Sequence, residues 1–166
     1  MKLLQRVFEA PDGRHRAAAI RTLGHWAGKI DGWEELLKKA AQDESGLVRA
    51  EVAKAAVELQ GLSAAEAIFE VAVRPTDSEL TTVLAYATRS LNVDAIVNDA
   101  IANNKPLSQA AQLYVLRNAS IEDLMKLAPT EAVYLAIISR ENANVEQLST
   151  AIVGLSKLQK TAPAGL

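Results

Sequence analysis

The stretch SGLVRAEVAKAAVEL, residues 45–59, follows the same pattern as GRHRAAAIRTLGHW, residues 13–26. Each places one arginine near the start of a run of small apolar residues at helical spacing. Superposing Arg16 on Arg49, 33 residues further along, aligns alanine and aliphatic positions in both stretches. The same helical pattern therefore occurs at least twice in the chain.

A third copy follows in DSELTTVLAYATRSL, residues 77–91, at an offset of 32 residues. In this register Val52 aligns with Leu84 and Leu59 with Leu91, although no arginine stands at the start. A period of this length with two helices per unit is typical of an α-solenoid, because a helix pair that cannot bury its apolar face alone stacks on the next pair.

Apolar residues recur at helical spacing along almost the whole chain, and the strict alternation of a half-buried strand is missing. We therefore predict an all-α fold, an α-solenoid of about five helix pairs with a degenerate C-terminal third. The predicted helices span residues 2–9, 14–27, 33–42, 47–60, 64–73, 78–91, 93–103, 108–117, 121–127, 131–140 and 145–160. Three of their starts fit or approximate a capping box: Ser63 with Glu66, Thr76 with Glu79 and Asn144 with Gln147.

Residues 1–160 are expected to form one helical-repeat domain. The repeats are clearer in residues 1–91, and residues 92–160 read as degenerate repeats or a cap. The tail KTAPAGL, residues 160–166, has the Pro, Ala and Gly content of a linker, and we assign residues 161–166 as a linker-like tail.

Composition excludes several classes of function. Hydrophobic residues make up 49% of the chain and aromatics only 4%, so small side chains must fill the core and helices must approach closely. A net charge of −2 offers no field for nucleic acid. The absence of cysteine excludes disulfides, thiolate nucleophiles, cysteine zinc sites and covalent haem attachment within this chain.

Targeting signals and cofactor motifs are not predicted either. The opening MKLLQRVFEAPDG is too short and too charged in its apolar part for a signal peptide, and no run approaches the ~20 apolar residues of a membrane span. His15 and His25 stand ten residues apart, which does not align them as metal ligands on one helix. No Gly-rich phosphate loop is present, and we expect no cofactor.

The repeated arginines, Arg16 and Arg49, are predicted to be structural, with a guanidinium that binds carbonyls or a carboxylate of the adjoining turn. The acidic pairs, Glu34/Glu35 and Glu122/Asp123, lie in first helical turns, where the helix dipole favours negative charge. Ser63, Ser108 and Ser120 are interpreted as helix caps. Tyr86, Tyr114 and Tyr134 fall in apolar patterns and are predicted to be buried rings.

Candidate partner-binding residues lie in the first repeat. Arg14, Arg21 and His25 share one helix face, since offsets of seven and eleven residues return to nearly the same angle. This face could grip an acidic partner, or be a solvated basic face that pairs with Glu34 and Glu35.

Trp26 and Trp33 bracket the turn AGKIDG, residues 27–32. They are interpreted either as an exposed aromatic anchor of a protein interface or as a closed interhelical corner.

The first three units resemble HEAT repeats, whose second helix typically begins with an arginine and continues through small aliphatic positions. A narrower resemblance covers four stretches, namely residues 13–26, DESGLVRAEVAKAA, RPTDSELTTVLAYATRSL and LYVLRNASIEDLMKLAPTEAVYLAIISREN. Their order is similar to the HEAT-containing region of large planctomycete and verrucomicrobial proteins named membrane-bound dehydrogenases or haem-binding-domain proteins. The resemblance implies an exported parent with a β-propeller before the repeats and a cytochrome c module after them.

The leading functional hypothesis is a non-catalytic scaffold or protein-interaction module with a concave binding surface, an interdomain segment of such an exported redox protein. Its partners would be neighbouring domains of the parent chain or another protein. The alternatives are a freestanding adaptor and, from the enzymes that HEAT-like folds include, a DNA glycosylase or a bilin lyase. A truncated solenoid also implies weak self-association through its end helices, residues 2–9 or 145–160.

Overall fold

The computed structural model describes residues 2–26 and 29–159, and of residues 2 and 3 the backbone alone. Every regular element within that part of the chain is a helix, which confirms the all-α prediction. The eleven helices are α1 (Lys2–Phe8), α2 (Gly13–His25), α3 (Trp33–Ala41), α4 (Gly46–Leu59), α5 (Gly61–Ala72), α6 (Ser78–Leu91), α7 (Val93–Ala102), α8 (Gln109–Asn118), α9 (Ile121–Leu124), α10 (Glu131–Ile138) and α11 (Val145–Gln159). None of these described helices is long and apolar enough to cross a bilayer.

The chain divides into two compact units, residues 1–111 and residues 112–166. In the first unit α2 packs on α4 and α4 on α6, while α3 packs on α5 and α5 on α7. The helices α1, α3 and α5 each also pack on the helix that follows in sequence. The first unit is thus a stack of helix pairs in two layers, as the repeat predicts.

The helices α2, α4 and α6, which form the second layer, begin at the spacing of the sequence repeat. Their N-cap residues are Asp12, Ser45 and Asp77, spaced by the same 33 and 32 residues as the sequence copies. Asp12 accepts a hydrogen bond from the backbone N–H of Arg14, and Asp77 from that of Leu80, each satisfying an amide that the helix leaves free.

Small residues let the second-layer helices approach closely. A Cβ placed on Gly24 of α2 would lie 3.1 Å from the Cα of Ala55 in α4. Alanines 17, 53, 56 and 64 are buried, as are large apolar side chains such as Ile20, Leu37 and Phe69, which have no exposed surface. The low aromatic content therefore corresponds to short distances between backbones.

Two helix junctions are tighter than the sequence indicates. α5 begins at Gly61 directly after Gln60, because both residues adopt positive φ, 83° and 60°, and reverse the chain within one step. Asn92, at φ 53°, joins α6 to α7 in the same way. As a result Ser63 lies inside α5, and the prediction that it caps this helix is wrong.

The other predicted caps have mixed outcomes. Asp77 rather than Thr76 caps α6. Asn144 and Gln147 form the predicted reciprocal box, with Asn144 N–H donating to Gln147 Oε1 at 3.0 Å and Gln147 N–H to Asn144 Oδ1 at 2.9 Å. Ser108 and Ser120 each accept from a backbone N–H three residues on, as predicted.

The second unit has its own core. Its buried members come from α9, α10 and α11: Ile121, Leu124, Val133, Ile137 and Ala151. The Tyr134 ring lies over Gly154, so close that a Cβ on this glycine would stand 2.7 Å from ring atom Cε1. Half-buried Tyr134 agrees in part with its prediction as a ring in the core.

Candidate functional site

Arg16 and Arg49 perform the same structural task in consecutive repeats, as predicted. Arg16 Nη1 donates to the carbonyls of Ala10 and Pro11 at 2.9 and 2.8 Å. Arg49 Nη1 donates to the carbonyls of Asp43 and Glu44 at 2.7 and 2.9 Å, the same steps back along its own turn. Each guanidinium therefore closes the turn that leads into its own helix.

The same two side chains also reach the turn of the next repeat, but with different partners. Arg16 forms a bidentate ion pair with Asp43, in which Nε donates to Oδ2 at 2.7 Å and Nη2 donates to Oδ1 at 2.8 Å. At the next junction Pro75 stands where Asp43 stands in the first, and Arg49 Nη2 donates to its carbonyl at 2.8 Å. Among the described residues no carboxylate forms an ion pair with Arg49 at this junction, and its buried Nε has no hydrogen-bond partner.

Three helices of the second layer present one stripe of residues at matching repeat positions, which we call the open stripe. On α2 and α4 its members are four residues spaced i, i+4, i+7 and i+11, and the offset of 32 extends them to α6. The members are Arg14, Ala18, Arg21 and His25 on α2, Leu47, Glu51, Lys54 and Glu58 on α4, and Glu79, Val83, Tyr86 and Ser90 on α6. All are exposed except buried Glu51 and half-buried Val83.

Glu51 is the buried charge of the open stripe, 3% exposed. Arg21 binds its two oxygens at 3.0 Å each, and Lys54 Nζ binds Oε1 at 3.0 Å. Burial alone would raise the pKa of Glu51, but the hydrogen bonds from Arg21 and Lys54 outweigh it and hold that pKa below its usual value. The carboxylate is thus charged, and it ties α2 to α4.

The basic face of α2 pairs with different acids from those the sequence suggests. Arg14 Nη2 binds Asp12 Oδ2 at 2.6 Å, and this hydrogen bond lowers the pKa of Asp12 to about 2. With Arg21 bound to Glu51, the predicted pairing with Glu34 and Glu35 is wrong. The register explains it, because Glu51 occupies the neighbouring helix of the same layer, one repeat further along.

The aromatic candidates are unequally exposed. Trp26, which ends α2 beside His25, is 53% exposed, and Trp33 at the start of α3 is half-buried. Residues 27 and 28 between them lie outside the described residues.

Tyr86 is 64% exposed, so the prediction of a buried ring is wrong. Tyr86 occupies the same repeat position as Arg21 and Lys54. Because those two residues are charged, the alignment indicates that the side chain at this position faces solvent.

The first unit also has concave surfaces. No three His, Asp or Glu side chains across residues 2–26 and 29–159 are placed to hold a metal ion. A cleft of about 410 Å³ opens near α1, with Phe8, Ile20 and Leu36 among its apolar lining. A smaller hollow of about 150 Å³ includes Glu34 and Glu35.

Comparison with known proteins bears on the repeats. A family model described as HEAT repeats matches residues 1–89, which cover α1 to most of α6. No curated protein and no solved structure matches the chain.

Proposed function

This chain belongs to the HEAT-repeat family, and from that premise we propose that it is a non-catalytic scaffold that binds another protein through the open stripe and the adjoining Trp26. HEAT repeats are typical of helical-repeat scaffolds and protein-interaction modules. The observation that carries the proposal is the exposure of two large aromatic side chains, Trp26 and Tyr86, in a chain with few aromatics. Tryptophan and tyrosine are the residues that most often dominate binding energy at protein interfaces.

The electrostatics of the open stripe suit recognition. The ion pairs of Arg21 and Lys54 with Glu51 fix three side chains on a rigid pair of helices, so little rotamer freedom is lost when a partner docks. Arg21 and Lys54 remain more than half exposed and retain donors for a partner. His25 and Glu58 line the same shallow groove.

A photo-cross-linking amino acid at position 86 tests the proposal in the native cell extract. We expect a discrete partner band from position 86 and none from position 73, where Val73 is 43% exposed at the end of α5. Tyr86→Ala should then weaken binding of the purified partner by roughly tenfold, about 1.4 kcal/mol. Absence of a band at position 86, or an equal band at position 73, would overturn the proposal.

We also propose that the scaffold connects neighbouring domains of a larger exported redox protein. This rests on the sequence similarity of four ordered stretches to the HEAT-containing region of planctomycete and verrucomicrobial proteins. Reading the source DNA on both sides of the segment tests it. Propeller-type strand repeats upstream and a C-x-x-C-H motif downstream would support it, and unrelated flanking sequence would refute it.

A further inference from the structure

α10 is apolar around most of its circumference, and the core of the second unit covers only part of it. Val133 and Ile137 lie in the core of the unit, with 7% and 0% exposure. The other face carries Ala132, Leu135, Ala136 and Ser139 at spacing i, i+3, i+4 and i+7, and Leu135 is 49% exposed. A helix that is apolar all round is normally covered all round. Ala136 packs against the core of the unit, whereas Ala132, Leu135 and Ser139 stay exposed, so the described chain covers this side of α10 only in part.

α8 supplies a second wall to this face. Leu113, Leu116 and Arg117 follow each other at i, i+3 and i+4, and Leu113 is 41% exposed. With α10 they line an open groove of about 530 Å³. We call it the α8–α10 groove.

The charges of the α8–α10 groove have one sign. Among the described residues that line it, the charged ones are Arg117 and Arg140, and none is a carboxylate. Arg140 Nη2 donates to the carbonyls of Leu116, Arg117 and Ala119 at 3.1, 2.7 and 3.1 Å, which pins the end of α8 to the end of α10. Arg117 stands exposed at the rim. The groove is thus apolar along its floor and positive at one end.

We propose that the α8–α10 groove binds an amphipathic α-helix of a partner protein, with an apolar stripe flanked by aspartate or glutamate. The leucines of α8 and the leucine and alanines of α10 form an apolar surface on which a third helix can pack. The α10 stripe spans about two turns, roughly 11 Å, so an occupant of two to three turns covers it. The acidic flank follows from the positive end of the groove. This site extends the proposed protein-binding function, on which it rests, to a surface separate from the open stripe.

The probe is a displayed library of helical peptides of about fifteen residues with randomised faces, selected on the full chain. We expect enrichment of peptides with apolar residues at i, i+3 or i+4, and i+7 and a net negative charge. Leu135→Asp should weaken the selected peptide at least tenfold, about 1.4 kcal/mol. Leu158→Asp is the matched control, because Leu158 on α11 is also 49% exposed and lies outside the groove.

A second pair of variants tests the charge. Arg117→Glu should weaken the acidic peptide roughly threefold to tenfold and favour the same peptide with its acids changed to lysine. Lys157→Glu, the same charge change on exposed α11, should do neither. Circular dichroism of each variant confirms that the helices are intact.

Several outcomes would overturn this inference: no enrichment, enrichment of basic peptides, or equal loss with Leu135→Asp and Leu158→Asp. A wild-type dimer that Leu135→Asp converts to monomer would identify a second copy of the chain as the occupant instead. Failure here leaves cross-linking at position 86 intact, whereas loss of that cross-link with peptide binding retained would refute the open stripe alone.

Discussion

At the scale of single residues, one kind of ion pair serves different purposes according to burial. Arg16 and Asp43 are each 14% exposed and form a bidentate ion pair between consecutive turns. Arg14 forms an equally short pair with Asp12 but is 81% exposed. Because water screens exposed pairs, the first contributes to the stacking of repeats and the second mainly orders a helix start.

The Arg49 junction predicts that aspartate at position 75 is more stabilising than alanine at the same position. Pro75→Asp should supply the carboxylate that Asp43 supplies one repeat earlier, and it should satisfy the buried Nε of Arg49. Removing proline costs about 0.4–1 kcal/mol by loosening the unfolded chain, so Pro75→Ala is the matched reference. In urea unfolding we expect Pro75→Asp to be more stable than Pro75→Ala by about 1 kcal/mol. Equal midpoints would show that no carboxylate reaches Arg49.

The buried carboxylate Glu51 predicts a pH dependence. Because its folded pKa lies below the unfolded value, its contribution to stability is full above about pH 4.5 and disappears as the pH falls through the folded pKa. Glu51→Gln should lower the free energy of unfolding by about 1–2 kcal/mol at pH 7.

That difference should shrink steadily toward pH 3 when denaturant unfolding is repeated at intervals. Exposed Glu58→Gln on the same helix should change the free energy of unfolding by less than about 0.5 kcal/mol at neutral pH. A difference between wild type and Glu51→Gln that stays constant with pH would contradict the ion-pair account.

At the scale of elements, sequence periodicity predicts the helices well and their junctions less well. All eleven predicted helices exist, since apolar spacing records which face is buried. The start of α5 and the end of α9 differ from the predicted bounds because the type of turn between two helices cannot be read from apolar spacing. Gln60, for example, adopts a positive φ, which is unusual for glutamine. α9 ends at Leu124 although 121–127 was predicted.

The close approach of α2 and α4 is testable through two glycines. Gly24→Ala places a methyl group 3.1 Å from the Ala55 backbone, and we expect a net loss of about 1 kcal/mol or more despite the better helix propensity of alanine. At Gly46 in the first turn of α4 the nearest atom would be 3.8 Å away, so Gly46→Ala should be neutral or stabilising. Thermal unfolding that ranks the two variants in the opposite order would contradict the packing.

At the scale of the whole molecule, the division into two units each with a core predicts local responses to mutation. Leu124→Ala removes a fully buried side chain of the second unit and should cost about 2–5 kcal/mol. Amide exchange followed by mass spectrometry should show the loss of protection concentrated in residues 112–159, with the amides near Leu37 far less affected. Uniform loss across the described chain would show that the two cores unfold as one.

The candidate sites mark where prediction from sequence ends. The structural role of Arg16 and Arg49 was predicted because the repeat places an arginine twice at the same position in the same sequence context. The partner of Arg21 was not, because it depends on which helix of the stack lies alongside α2. Tyr86 was predicted to be buried because its neighbours in sequence are apolar, although its position in the repeat aligns with charged residues. The α8–α10 groove was not predicted because the apolar sequence of α10 is typical of a helix buried in a core.

The sequence by itself determined the helices, their stacking in pairs and the family, because period and apolar spacing are local properties that repeat along the chain. Only the tertiary structure decided which charges meet, that Glu51 is buried between Arg21 and Lys54, and that one apolar side of α10 is covered only in part. These depend on the contacts between elements distant in sequence, where a shift of one helix turn exchanges one partner for another.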